Sequence, residues 1–172
     1  MWPPWYKVER GGDLRTKVVQ NCSAAPMFRG RHNATVDPKG RLKIPAEFKE
    51  VVDRDYGPRF YVTSLQGDKA SVYPFSQWER IEKRLAELPS MHPARNKFLD
   101  RTNYWGQMAE MDSQGRILIP SQLRESAEVT GEVVVMGYPD RLDVWKPERF
   151  EEYMAKQPVT EADRQAWSDI GI

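Results

Sequence analysis

Cysteine is nearly absent from this chain: Cys22 is the only one in 172 residues. An internal disulfide is therefore excluded, and a single thiol suits a reducing compartment such as the cytoplasm. Histidine is almost as scarce. His32 and His92 have no Cys or His neighbour at metal-ligand spacing, so no metal or cofactor is expected, and both read as surface residues. No apolar run is long enough to span a membrane, and residues 1–26 lack the apolar stretch of a secretory signal. There is no Gly-rich phosphate loop of the usual form and no nucleophile elbow. Ser113 beside Asp112 fits turn chemistry better than nucleophilic chemistry, since no His lies near it in sequence. An enzyme is the weakest of the classes considered.

Net charge is also nearly missing, at +1, but its distribution is uneven. Residues 27–50 carry six Lys/Arg against three Asp/Glu, whereas residues 51–172 carry sixteen against twenty. A local basic patch is what phosphate contact needs, because the field that matters is local. On charge alone, a solvated basic face fits equally well.

What the chain does have is a stretch of fourteen residues that occurs twice, 75 positions apart. Residues 37–50 read DPKGRLKIPAEFKE and residues 112–125 read DSQGRILIPSQLRE. Each copy opens on a tight turn. Asp37 and Asp112 come first, where a carboxylate accepts nearby backbone N–H groups, and Gly40 and Gly115 come fourth. A short strand follows, and then Pro45 or Pro120, suited to the first position of a helix. Asp37 and Arg41, like Asp112 and Arg116, sit four apart across the turn. A carboxylate there can hold the planar guanidinium in one orientation. Such an arginine is either a structural clasp that closes a hairpin or a preorganised reader of phosphate or guanine. Duplication with the same sequel favours the second.

Around the turns the chain reads in order. Residues 1–26 form a flexible extension in which Trp2, Trp5 and Tyr6 are suited to stacking on bases or a partner, or have no role. Met27 is the natural start of the folded part. Arg29 and Arg31 stand close ahead of the first turn. The first unit spans 27–92: after the turn come a helix from Pro45, a hairpin over residues 60–73, and a helix whose Phe75, Trp78, Ile81, Leu85 and Leu88 share one face as core or subunit contact. A joining helix occupies 93–107. The second unit, 108–157, replays the first. Residues 158–172 read as a polar, mobile tail.

These motifs resemble the MraZ family, bacterial proteins related to the AbrB-like, or SpoVT-AbrB, swapped-hairpin DNA-binding domains. The resemblance runs from about Met27 to Lys156. It rests on Met27-Phe28-Arg29-Gly30, the two Asp-x-x-Gly-Arg turns with their Ile-Pro strands, Tyr73-Pro74-Phe75-Ser76-Gln77-Trp78 and Ala94-Arg95-Asn96. It implies an α+β fold of two tandem, double-psi-like units with flanking helices. It further implies a nucleoid-associated transcriptional regulator, read as a repressor of the division and cell wall gene cluster. Such a regulator binds direct repeats in promoter double-stranded DNA as a ring-shaped homo-oligomer, with no membrane and no small-molecule substrate. The residues carried over as DNA-binding are Asp37, Lys39, Gly40 and Arg41, and Asp112, Gly115 and Arg116, to which the basic pair Arg29 and Arg31 is added. Two departures stand out. The pattern does not reach residues 1–26, and Gln114 replaces Lys39 in a second copy of no net charge, which points to a more structural second turn. The alternative function is a protein-interaction scaffold or antitoxin-like module.

Overall fold

The computed structural model describes residues 27–172. The readings for residues 1–26, including Trp2, Trp5, Tyr6 and Cys22, fall outside the described residues. The chain runs through β1 (Arg31–Val36), β2 (Arg41–Lys43), α1 (Ala46–Asp55), the hairpin β3 (Arg59–Thr63) and β4 (Ala70–Pro74), and α2 (Phe75–Ala86). Next comes α3 (Pro93–Trp105). The second copy follows as β5 (Gln107–Glu110), β6 (Arg116–Leu118), α4 (Ser121–Ala127), β7 (Gly131–Tyr138), β8 (Arg141–Trp145) and α5 (Pro147–Lys156). Pro45 and Pro120 take extended ψ and stand at the N-cap, one residue before the first helical position expected for them from sequence.

The eight strands of the described residues form one antiparallel sheet in the order β5-β3-β4-β8-β7-β1-β2-β6. The copies are exchanged within it. β1 pairs along its length with β7 of the other copy, and β5 pairs with β3. The end strands β5 and β6 are consecutive in the chain, and the Asp112 N–H donates to the Arg116 carbonyl between them, curling the sheet back on itself. The fold is α+β with two tandem units.

Two strand pairs join equivalent positions of the copies. Leu42 lies opposite Ile117 in β2–β6, and Ser71 lies opposite Asp143 in β4–β8. A pseudo-twofold axis therefore passes through both pairs. The first pair is apolar and fully buried, and burying each side chain stabilises the fold by roughly 1.5–3 kcal/mol. The second carries a buried charge. The Asp143 carboxylate accepts from Ser71 Oγ at 2.8 Å, Lys69 Nζ at 2.6 Å and Arg141 Nε at 3.0 Å. Lys69 and Arg141 are themselves equivalents. Lys69 lies over the Trp145 ring at 5.0 Å and Arg141 over the Tyr73 ring at 5.7 Å. Burial pushes the Tyr73 phenol up to about 12.

Three expectations change. Of the α2 stripe, only Trp78 is buried, between Tyr61 and Phe98, while Leu88 is exposed. Ile81 and Leu85 are half-buried, so among the described residues the second half of the helix is only partly covered. His32 is half-buried, edge-on to Phe48 at 4.6 Å, because alternate residues of β1 face α1. The tail contains α6 (Glu161–Asp169), started by a capping box in which Thr160 and Asp163 satisfy each other's backbone N–H groups. Among the described residues, no helix is long and apolar enough to cross a membrane.

Candidate nucleic-acid interface

The exchange of strands brings the two repeated turns together. β2 and β6 form a two-stranded ribbon with a turn at each end. The Ile44 N–H donates to the Gly115 carbonyl at 3.0 Å, and the Ile119 N–H to the Gly40 carbonyl at 2.9 Å. Each strand thus ends on the other copy's turn. Alternation sends Leu42 and Ile117 inward and sends Arg41, Lys43, Arg116 and Leu118 outward. Arg41 and Arg116 are diagonal neighbours, about 7–8 Å apart by ordinary strand geometry and somewhat closer at Cβ.

Each turn closes through the Gly N–H to Asp carbonyl bond, 2.8 Å in the first and 2.9 Å in the second. Gly40 and Gly115 take φ of 82° and 72°, which side-chain-bearing residues adopt only at a cost. They also leave room for neighbours. The Arg124 guanidinium lies where a Cβ of Gly40 would be, and Lys49 Cδ comes within 3.0 Å of the corresponding point on Gly115. Lys49 and Arg124 occupy the same position of the two repeats.

Each arginine is held by its aspartate along one edge only. Asp37 Oδ2 accepts from Arg41 Nε at 2.8 Å and from Nη2 at 2.7 Å, while Oδ1 takes the Arg41 N–H at 2.9 Å. Asp112 repeats this on Arg116 with 2.8, 2.8 and 3.0 Å, and its Oδ1 also takes the Gln114 N–H. The guanidinium edge made of the two Nη groups has no protein acceptor beyond Asp among the described residues. With side chains 30% and 25% exposed, that edge is available to a planar acceptor pair.

The Arg41 backbone N–H, followed by its guanidinium, holds the Asp37 carboxyl below its usual 3.8, and the Arg116 guanidinium does the same first of all for Asp112. A folded value below the unfolded one adds stability above the unfolded value, lost as pH falls through the folded one. The tethers are therefore expected to stay closed from neutral pH down to the ordinary carboxylate range. Carboxyl-carbon NMR titration should place both midpoints below 3.8; midpoints at or above that value would mean the clasps are open in solution.

Of the residues read from sequence, the structure gathers Asp37, Lys39, Gly40, Arg41, Asp112, Gly115 and Arg116 at this ribbon. Arg29 and Arg31 are exposed but lie elsewhere: Arg31 starts β1, six residues before Asp37, about 20 Å away at strand rise. Sequence reading missed Lys43, Lys49 and Arg124. Lys49 and Arg124 carried a signal, a cation at the thirteenth position of both copies. Lys43 carried none, because its counterpart is Leu118. Its Nζ binds the Gln114 carbonyl, so the first copy supplies a cation to the turn that lacks its own.

The chain matches known sequences over this whole region. A model of the MraZ protein family, described as antitoxin-like, matches residues 27–101 and 107–169. A protein of Acidobacterium capsulatum named transcriptional regulator MraZ is 52% identical over 146 residues, 85% of this chain and 100% of the relative. A protein of the same name from Koribacter versatilis is 49% identical over 147 residues, with 85% and 100% coverage. One from Neisseria meningitidis serogroup A is 33% identical over 142 residues, covering 82% of this chain and 94% of the relative. With paired Asp-x-x-Gly-Arg turns on one ribbon and matches of this extent, the chain belongs to the MraZ family.

Proposed function

We propose that this chain is a transcriptional regulator that binds double-stranded DNA through the β2–β6 ribbon. The observation that carries the reading is the pair of arginines, each held along one edge by an aspartate and open along the other. A two-stranded ribbon fits the major groove, where arginine meets the O6 and N7 of guanine in the same fork geometry. Because the tether fixes the rotamer beforehand, little side-chain entropy is lost on contact. Lys39, Lys43, Lys49 and Arg124 flank the arginines as phosphate contacts, with Lys49 shared with Asp53. Arg29 and Arg31, a strand length away, extend the basic surface. The names of the relatives support regulation of transcription as the outcome.

In the finer reading, the chain assembles into a ring and acts on direct repeats in the promoter of the division and cell wall cluster, as a repressor. One ribbon on a chain of net charge +1 binds duplex weakly. Repeated ribbons on one assembly gain avidity without new contacts, and spaced direct repeats match spaced copies. Phosphate contact releases counterions, so affinity for a promoter fragment should fall about 10³-fold or more between roughly 50 and 200 mM salt. Gel shift across that range tests this. A flat response would remove phosphate as the main contact.

A further inference from the structure

Among the described residues, nothing covers helix α6. Every residue from 151 to 172 is exposed. Nine residues of helix are marginal in water without a surface to pack on. α6 has a face for that purpose: Ala162, Ala166 and the C-cap Ile170 recur at a spacing of four, with Trp167 beside them. Trp167 and Ile170 are 43% and 72% exposed.

A matching surface lies between the β3–β4 loop and α3. It is a groove of about 920 Å³ lined by Leu65, His92, Pro93, Lys97, Phe98 and Arg101. The side chains of Lys97 and Arg101 have no hydrogen-bond or ion-pair partner among the described residues. Charge is complementary: α3 carries three basic residues to one acidic, and residues 158–172 carry three acidic to one basic. Through Leu65 and Phe98 the groove continues into a cavity of about 380 Å³ that Trp145 also lines. Trp145 is 2% exposed, and its indole N–H has no acceptor among the described residues. A buried donor of this kind costs free energy until an acceptor reaches it.

We propose that α6 of one copy seats in this groove on a second copy. Trp167 and Ile170 lie against Leu65 and Phe98, the acidic flank faces Lys97 and Arg101, and a polar group of the incoming segment accepts from Trp145. Donor and acceptor surfaces are different patches of one molecule, so the contact is head-to-tail and closes into a ring where the rotation per step allows. The inference deepens the self-assembly reading above and rests on it.

The test uses the full chain. Multi-angle light scattering after size exclusion should show an assembly for the unaltered protein. Lys97→Glu with Arg101→Glu should reduce the assembled fraction at least tenfold, and adding Glu161→Lys with Asp169→Lys should restore most of it. In a Cys22→Ser background, differently tagged chains carrying Leu65→Cys or Trp167→Cys should cross-link to each other after mixing. Unaltered chain that runs as a monomer would overturn self-assembly as a whole. Unaltered chain that assembles, with the charge-reversed chain of the same mass or no cross-link between tags, would overturn only this docking. Loss of DNA binding by the charge-reversed chain at unchanged mass would assign Lys97 and Arg101 to nucleic acid and also overturn it.

Discussion

Arg41→Ala is expected to reduce affinity for the promoter repeats by about 10²-fold or more while assembly mass stays unchanged and thermal stability falls only slightly with the loss of one solvent-exposed ion pair. A bidentate arginine–guanine pair is worth about 1–3 kcal/mol, and an assembly that engages two or more repeats loses it at each. The substitution also frees Asp37, whose carboxylate would then face the phosphates unpaired. Folding is spared because the backbone bonds of the turn, Gly40 to Asp37 and Asp37 to Arg41, do not involve the side chain. Arg41→Lys separates the roles. It keeps the charge but loses the fork, so non-specific binding should persist while preference for the repeats falls. Arg116→Ala should cost less, since the second turn has Gln114 where the first has Lys39. Gel shift with specific and scrambled fragments, beside size exclusion, reads all three. Unchanged affinity of Arg41→Ala would end the ribbon's claim to be the reading surface.

The largest stability effect is expected far from that ribbon, at the other strand pair on the pseudo-axis. Asp143 is fully buried and holds two cations. Removing one partner of a buried ion pair costs about 3–5 kcal/mol. Lys69 and Arg141 are 23% and 25% exposed and regain some water, so Asp143→Ala should cost about 2–4 kcal/mol. Denaturant unfolding measures the loss. The axis also explains why the copies differ here. Two aspartates at these equivalent positions would face each other across β4–β8, and like charges directly opposite are destabilising. Ser71 avoids that and donates to its mate. Ser71→Asp alone should therefore destabilise the fold, whereas Ser71→Asp combined with Asp143→Ser should recover most of the stability, because Lys69 and Arg141 are related by the same axis. A combined variant as unstable as Asp143→Ala would mean the site is not symmetric in energy.

Much of the fold was legible because the informative interactions are local. Asp37 reaches Arg41 within four residues, Pro45 and Pro120 stand immediately ahead of the helices they announce, and Phe48 and Val52, four apart, fall on one buried face of α1. α6 was missed although its signal was present: Thr160 with Asp163 is a capping pair, but the polar composition around it reads as tail. The α2 stripe was read as a face of core or subunit contact, and the structure buries only Trp78 of it. Periodicity reports amphipathicity, not which molecule supplies the covering surface.

By itself the sequence determined two clasped turns, the order of the elements and the duplication, since each rests on residues close together in the chain. Only the tertiary structure decided that the two turns end one ribbon, that Lys43 serves the second turn, and that Ser71 meets Asp143. Those contacts join residues 71 or more positions apart, and strand pairing at that separation depends on how the whole sheet closes, which no local pattern of residues encodes.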